Sequence, residues 1–290
     1  MIEMDEYIRK ADALLEALPY LRQFRGKVMV IKYGGSAIDN VAITHSVLDD
    51  LAFMSFVGIH PVLVHGGGPA INERMRETGK KIEFVDGIRK TDKETAQLVA
   101  DVLTDLNKQL VSYLNSNGAK AHTLAGRDIP FLQAHQLQGH GDVGFVGEIN
   151  HVDTAPVEKI LMNWEIPVIT PTGQDKDGNL YNVNADHAAS TIARALKAEK
   201  LVLLTNVRGI LRDPKDEDSL ISTLTEAEIE DLVERKVVQS GMIPKVKSAL
   251  NALKRGVGKA HILDAKLPHA ILLEIFTDRG IGTEVVHSNV

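Results

Sequence analysis

Short runs of β-branched and aliphatic residues that close on glycine recur along this chain, each followed by helical periodicity. The first is Val28-Met29-Val30-Ile31-Lys32-Tyr33-Gly34-Gly35-Ser36. Its unbroken apolar run predicts a strand buried on both faces, and the glycines predict a tight turn at its end. Residues 41–57 read as a helix. Pro61-Val62-Leu63-Val64-His65-Gly66-Gly67-Gly68-Pro69 then repeats the pattern, with proline suited to the first turn of the next helix. Two such units form a βαβ repeat, whose turns lie side by side at one edge of a parallel sheet. Further strands are expected at Ile166–Thr170, Leu201–Thr205 and Ala260–Leu263. The chain is therefore expected to be α/β.

Between these strands the periodicity is more varied. Residues 4–18 carry Ile8, Ala11, Leu15 and Leu18 on one helical face, with Pro19 expected to end the helix. This helix precedes the first strand, and two readings of it stay open: it folds back on its own domain, or it joins subunits. A long helix is expected from Thr91 or Asp92, as its cap, to about Asn115. Residues 119–152 read as short strands around Gly126-Arg127-Asp128 and around Gly139 to Gly144, a hairpin region that suits a lid. A helix is expected over 154–163. Punctuation by proline and glycine over 171–180 offers a boundary between two lobes, and Asp175-Lys176-Asp177-Gly178-Asn179 reads as a turn.

Composition narrows the partners more than the fold. A net charge of −6 gives no basic footprint for nucleic acid. No apolar run approaches the roughly 20 residues of a membrane span, and no signal-peptide core is visible at the N-terminus. The absence of cysteine excludes thiol catalysis and disulfides and suits a cytoplasmic protein.

The candidate chemistry is that of an anion site. Neither glycine turn has the spacing of a Walker loop or of a dinucleotide fingerprint. Both nevertheless offer backbone N–H groups at helix N-termini. Lys32 closes the first strand, Lys245 lies just inside a late helix, and Arg89 precedes the long helix. Asp186 sits in the first turn of an alanine-rich helix behind Asn182 and Asn184. His135, His140 and His151 lack metal-ligand spacing, and no Ser–His–Asp arrangement is legible. Positive charge and N–H donors around an anion suit phosphoryl transfer, which depends mostly on positioning and charge stabilisation.

Five motifs carry a family resemblance: Lys32-Tyr33-Gly34-Gly35, His65-Gly66-Gly67-Gly68-Pro69, Gly87-Ile88-Arg89, Asn182-Val183-Asn184-Ala185-Asp186 and Gly241-Met242-Ile243-Pro244-Lys245. In that order they resemble the acetylglutamate kinases of the amino-acid kinase superfamily, from about Val28 to Thr283. The resemblance implies a three-layer αβα sandwich with a mainly parallel central sheet. It implies phosphorylation of the γ-carboxylate of N-acetyl-L-glutamate by ATP, in arginine biosynthesis, with Mg2+ held mainly by the phosphates and no protein metal ligands. Lys32 and Lys245 would stabilise the transition state and Asp186 would organise them. Gly67, Gly68, Arg89, Asn182 and Asn184 would hold the amino-acid substrate. Gly34, Gly35, Thr205, Asn206, Gly209, Gly241, Met242 and Lys245 would hold the nucleotide. The implied division is a helix over 1–24, a substrate lobe over 25–180 and a nucleotide lobe over 181–290.

The N-terminal helix and the segment 274–283 resemble the arginine-inhibited members. That implies an L-arginine site at Tyr20, His261, Glu274 and Gly280, a homohexamer built as a trimer of dimers, and a nitrogen-signalling protein as a partner. Where the family usually has Asp-Val-x-Gly, this chain has Asn206-Val207-Arg208-Gly209. The rival readings are kinases for acetylaminoadipate, aspartate, carbamate or uridylate, and a non-catalytic arginine-sensing subunit. A nicotinamide dehydrogenase would need a glycine fingerprint that is not present.

Overall fold

The computed structural model describes residues 2–213, 215–235, 238, 242–277 and 280–288. The helix α1 (Ile2–Phe24) leads into β1 (Val28–Tyr33), α2 (Val41–Phe56), β2 (His60–His65) and α3 (Gly68–Glu77). A small hairpin, β3 (Phe84–Val85) and β4 (Ile88–Arg89), precedes the long α4 (Lys93–Ser116). Then come β5 (Ala121–Leu124), β6 (Leu132–Gln136), β7 (Val146–Val152), α5 (Ala155–Leu161), β8 (Ile166–Ile169), β9 (Thr172–Gln174) and β10 (Leu180–Val183). The remainder is α6 (Ala185–Ala195), β11 (Lys200–Thr205), β12 (Thr223–Thr225), α7 (Glu226–Glu234), α8 (Ile243–Leu253), β13 (Lys259–Asp264), α9 (Ala270–Ile275) and β14 (Thr283–Val286).

Eight strands form one sheet in the order β12-β14-β13-β11-β1-β2-β8-β5, parallel except where β13 meets β14. Apolar residues on both faces of β1 explain why it sits inside this sheet. Val30 joins the core shared with α6 and α8, while Met29, Ile31 and Tyr33 join the core shared with α2 and α4. The result is a three-layer αβα sandwich with a mainly parallel sheet, as the pattern and the resemblance led us to expect. Asp92 caps α4 by accepting from Thr95 N at 2.7 Å, one of the two caps foreseen.

Two expectations are corrected. Pro19 does not end the first helix but lies inside α1. A proline there costs about 3 kcal/mol in an isolated helix. The last turns are held by packing instead: Phe24 is buried, and Tyr20 meets the Phe276 ring edge-on at 6.4 Å. Nor does α1 fold its stripe back onto its own domain, since Ile8 is 51% and Leu15 65% exposed. The second correction concerns residues 119–152. The segments 126–128 and 139–144 are connections, and the strands flank them: β6, β7, β9 and β10 close a small barrel. The stretch 171–180 forms the β9–β10 hairpin of that barrel, so its punctuation marks a turn inside a sheet. Among the described residues, no helix is long and apolar enough to cross a membrane.

One buried acid ties α2 to α9. Asp50 is buried, and its Oδ1 lies 2.7 Å from His269 Nδ1, while Ser46 Oγ accepts from His269 N. Burial pushes the Asp50 carboxyl up to about 6, against the opposing pull of His269. The folded chain thus holds this proton more tightly than the unfolded chain. The group favours folding at low pH, and that benefit is lost as pH rises through about 6. Asp50→Asn removes the titration. Its stability relative to the parent should fall by about 2 kcal/mol between neutral pH and about pH 4, read by chemical denaturation at both. A difference that does not change with pH would contradict this.

Candidate active site

Three segments distant in sequence bring their charges to one point. Lys32 lies near the end of β1, Asp186 in the first turn of α6, and Lys245 in the first turn of α8. Lys32 Nζ is 2.9 Å from Asp186 Oδ1 and Lys245 Nζ is 3.6 Å from Oδ2. The aspartate is 5% exposed. Burial alone would push its carboxyl up, but the two ammonium groups outweigh that and hold it below the usual carboxylate range. It therefore stays anionic and is no proton acceptor at neutral pH. Asn184 fixes its position: the side chain caps α6, accepting from Asp186 N at 2.9 Å and His187 N at 3.1 Å. The cap uses Asn184 Oδ1, so only the amide NH2 of that residue is left for a ligand.

The two glycine turns do lie side by side. Gly66 N donates to Tyr33 O at 2.7 Å, and a Cβ on Gly34 would come within 3.0 Å of Gly66 N. Any side chain at Gly34 would push the two strand ends apart. Gly35 follows at φ +77°, a left-handed conformation that favours glycine. On the other side, Gly67 packs its Cα against Leu103 of α4, while the space a Cβ would fill at Gly68 is open. Gly67 and Gly68 begin α3, which has no side-chain cap.

Arg89 is buried beside that helix start. Its Nη2 donates to Asn72 Oδ1 at 2.6 Å and reaches Gly68 O at 3.4 Å, and the guanidinium lies 4.9 Å from the Phe84 ring centroid. Among the described residues no carboxylate lies within ion-pair distance of it. Asn182 of β10 donates to Thr91 Oγ1 at 3.4 Å, and Thr91 donates to Arg89 O at 2.8 Å. Thr91 also anchors the loop between β6 and β7, through Thr91 N to Val143 O and Phe145 N to Thr91 O. The lid expected over 119–152 is thus latched next to Arg89.

The nucleotide candidates fall at the end of β11. Thr205 Oγ1 donates to Val207 O at 2.8 Å, closing a turn whose Asn206 is exposed. Gly209 is buried against Thr283, so its lack of a side chain serves that contact. Met242 starts α8 and packs on the core, and Gly241 lies outside the described residues. Among the described residues no cluster of His, Asp and Glu is arranged to hold a metal.

Tyr20, His261, Glu274 and Gly280 share a different cavity, of about 630 Å3, at the opposite ends of the strands. Glu274 Oε1 is 2.8 Å from His261 Nδ1, and its Oε2 accepts from Ile281 N at 2.7 Å and Gly282 N at 3.3 Å. Those two N–H groups are therefore already used. Lys200 and Lys259 are among the described residues that line this cavity. Lys200 escaped the sequence reading, although a lysine opening an otherwise apolar strand was a signal. It is buried and donates to His261 Nε2 at 3.0 Å. His65 and Asn107 were missed too. A histidine inside a glycine motif draws attention only once its burial is known.

Comparison with known proteins agrees with this geometry. The model of the Amino acid kinase family matches residues 27–264. The chain belongs to the amino acid kinase family. An acetylglutamate kinase of Syntrophomonas wolfei subsp. wolfei is 46% identical over 281 residues, covering 97% of this chain and 98% of its own. Similarity of that extent assigns the branch: the chain is of the acetylglutamate kinase type. Two solved structures of N-acetylglutamate synthase from Neisseria gonorrhoeae are also similar. One, complexed with coenzyme A and N-acetyl-glutamate, has a TM-score of 0.83 at 28% identity, over 96% of this chain and 63% of its own. The other, complexed with coenzyme A and L-arginine, has a TM-score of 0.81 at 26% identity, over 95% of this chain and 65% of its own. The chain thus spans about two thirds of those longer proteins.

If Asn184 is the cap that sets Asp186, Asn184→Ala should cost about 1 kcal/mol of stability. It should also lower turnover. Denaturation and initial rates on the same variant check this, and unchanged rates would detach the cap from the site.

Proposed function

We propose that this enzyme phosphorylates the γ-carboxylate of N-acetyl-L-glutamate with ATP, giving an acyl phosphate and ADP in arginine biosynthesis. The observation that carries the reading is the Lys32–Asp186–Lys245 set, built on a buried lysine–aspartate pair, beside two glycine turns and an arginine that has no carboxylate partner among the described residues. Three cations against one carboxylate leave a surplus of positive charge where two anionic reactants must meet. A γ-carboxylate is already ionised at neutral pH, so it needs no base, and Asp186 is in no state to act as one. An oxygen of that carboxylate attacks the terminal phosphorus, a P–O bond forms, and the bond to the ADP oxygen breaks.

Lys32 and Lys245 meet the charge that spreads over the phosphoryl oxygens. Arg89, with Asn182 and the N–H groups of Gly67 and Gly68, receives the amino acid, and its planar fork suits a carboxylate. Residues 25–180, with Asn182 added from β10, carry that substrate, and the rest of the chain to 290 carries the nucleotide through the turn from Thr205 to Gly209 and through α8. Magnesium, when bound, offsets phosphate charge. Both Asp186 oxygens are taken by lysines, which fits a metal held mainly by the phosphates themselves.

Lys32→Ala and Lys245→Ala should each lower kcat by roughly 100- to 1000-fold while changing KM far less. ADP release measured over a panel of acyl amino acids tests the substrate at the same time. Preference for N-acetylaminoadipate over N-acetylglutamate would overturn the assignment, and near-parental kcat in either variant would remove that lysine from it.

We further infer that L-arginine inhibits the enzyme from the cavity around Tyr20, His261, Glu274 and Gly280. Its lining mixes Glu274 and Glu284 with Lys200 and Lys259, carboxylates that can pair with a guanidinium and ammonium groups that can pair with a carboxylate. The exposed stripe of α1 is what a second copy of the chain would cover, in a cytoplasmic homo-oligomer such as a hexamer. Removing residues 1–18, which spares Tyr20, should therefore give a smaller, active oligomer with a blunted arginine response. Sedimentation and initial rates decide it: an assembly of unchanged size that is still fully inhibited would refute the link.

A further inference from the structure

We propose that His65 and Asn107 form a buried positioning pair that sets the tautomer of one imidazole and, through it, the direction of the Gly66–Gly67 peptide in the substrate turn. The proposal rests on the reading that this turn receives the amino-acid substrate.

Both side chains are fully buried, on β2 and α4. Asn107 Nδ2 is 2.8 Å from Val168 O and 3.1 Å from His65 Nε2, and His65 Nδ1 is 2.9 Å from Gly66 O. Donor and acceptor chemistry leaves one arrangement. A main-chain carbonyl only accepts, so the Asn107 atom facing Val168 O must be its NH2. The second hydrogen of that NH2 then points at His65 Nε2, which must be bare to accept it. The imidazole proton is therefore on Nδ1, where it donates to Gly66 O. A carbonyl of β8 thus dictates, through two side chains, the hydrogen bond made by a glycine at the end of the neighbouring strand β2.

The consequence lies in the geometry of the peptide. A trans peptide is planar, with its C=O and N–H pointing in opposite directions. Holding Gly66 O on His65 aims the Gly67 N–H away from the imidazole. Among the described residues that N–H has no acceptor, and the neighbouring Gly66 lies against Gly34 and Ala185, the residue before Asp186. Burial supports the same protonation state, because it pushes the His65 imidazole down to about 4 and keeps it neutral. The other tautomer would set a lone pair against Gly66 O and release the peptide to turn.

Two measurements test the pair. Nitrogen NMR of the imidazoles in the intact enzyme should show His65 neutral with its proton on Nδ1. A proton on Nε2 overturns the proposal whatever any variant does. The second test compares His65→Asn with His65→Leu, side chains of similar size that open similar space. Asparagine can still present an N–H where Nδ1 lay, and leucine cannot. His65→Leu should raise the N-acetylglutamate KM about tenfold, with the ATP KM unchanged, and His65→Asn should recover most of that loss. Equal KM values in the two variants, or a parallel rise for both substrates, would mean that His65 only fills space. An intact enzyme with no turnover of N-acetylglutamate would instead sink the substrate reading, and the tautomer result would stand apart from it.

Discussion

A carboxylate that is 5% exposed cannot stay ionised on its own, and the end of the sheet that carries the candidate site is built around meeting that demand at Asp186. Removing one partner of a buried ion pair typically costs 3–5 kcal/mol, because it leaves a charge without compensation. Lys32 and Lys245 must therefore both arrive, which fixes the end of β1 against the first turns of α6 and α8. The constraint spreads outward. Asn184 must cap α6 for Asp186 to point at the lysines. Gly34 must lack a side chain for the neighbouring strand ends to meet in front of them. Lysines held by a buried anion are also pre-positioned for a second anion, so what stabilises the cluster also prepares the site.

β11 joins this site to the second cavity. Lys200 opens the strand, buried against His261, and Thr205 closes it at the proposed nucleotide turn. Five residue steps of about 3.3 Å separate them, roughly 17 Å along one rigid element. β11 is paired with β1, Lys32 lying opposite Leu203, so a shift of β11 at one end reaches the lysine at the other. α9 adds a second path. It carries Glu274 into the cavity, and it is tied by His269 and Asp50 to α2, the helix that follows the first glycine turn. Both connections run through packed, hydrogen-bonded elements, the kind of network that can carry coupling between sites.

Local sequence made legible what is decided locally. The apolar runs became interior strands because their residues face a core on each side, as Val30 and Ile31 do. The glycine turns, the Asp92 cap and the Asp175 turn follow from a few neighbouring residues and were found. The missed features are pairings between segments far apart in the chain. Pro19 sits inside a helix whose last turns are held from far along the chain, Tyr20 by Phe276 and Phe24 by Lys200, which lies over its ring. The barrel of β6, β7, β9 and β10 depends on register across a glycine-rich stretch whose pattern names no partner. Asn184 looked like a ligand contact because its motif contains it, yet its carbonyl oxygen is used by the helix. The sequence reading named the charged candidates and passed over the side chains, such as Asn107 and Lys200, that pack or bond against its motifs from distant segments.

The protonation states limit which acceptors the site can serve. Asp186 is held below the usual carboxylate range, so it cannot take a proton from an alcohol or an ammonium group near neutral pH. Two histidines, the buried His65 and the partly buried His187, are committed as well. His65 accepts from Asn107 and donates to Gly66 O, and the His187 ring accepts from Ile149 N at 3.4 Å. Burial lowers both, so each stays neutral in its hydrogen bond. A hydroxyl acceptor would need a group able to remove its proton, and these residues do not offer one. An acceptor that arrives already ionised has no such need. The surplus positive charge around Lys32, Lys245 and Arg89 then favours its approach to a triphosphate that would otherwise repel it. On the proposed reading, the pairing of the charges therefore favours an anionic nucleophile over a hydroxyl.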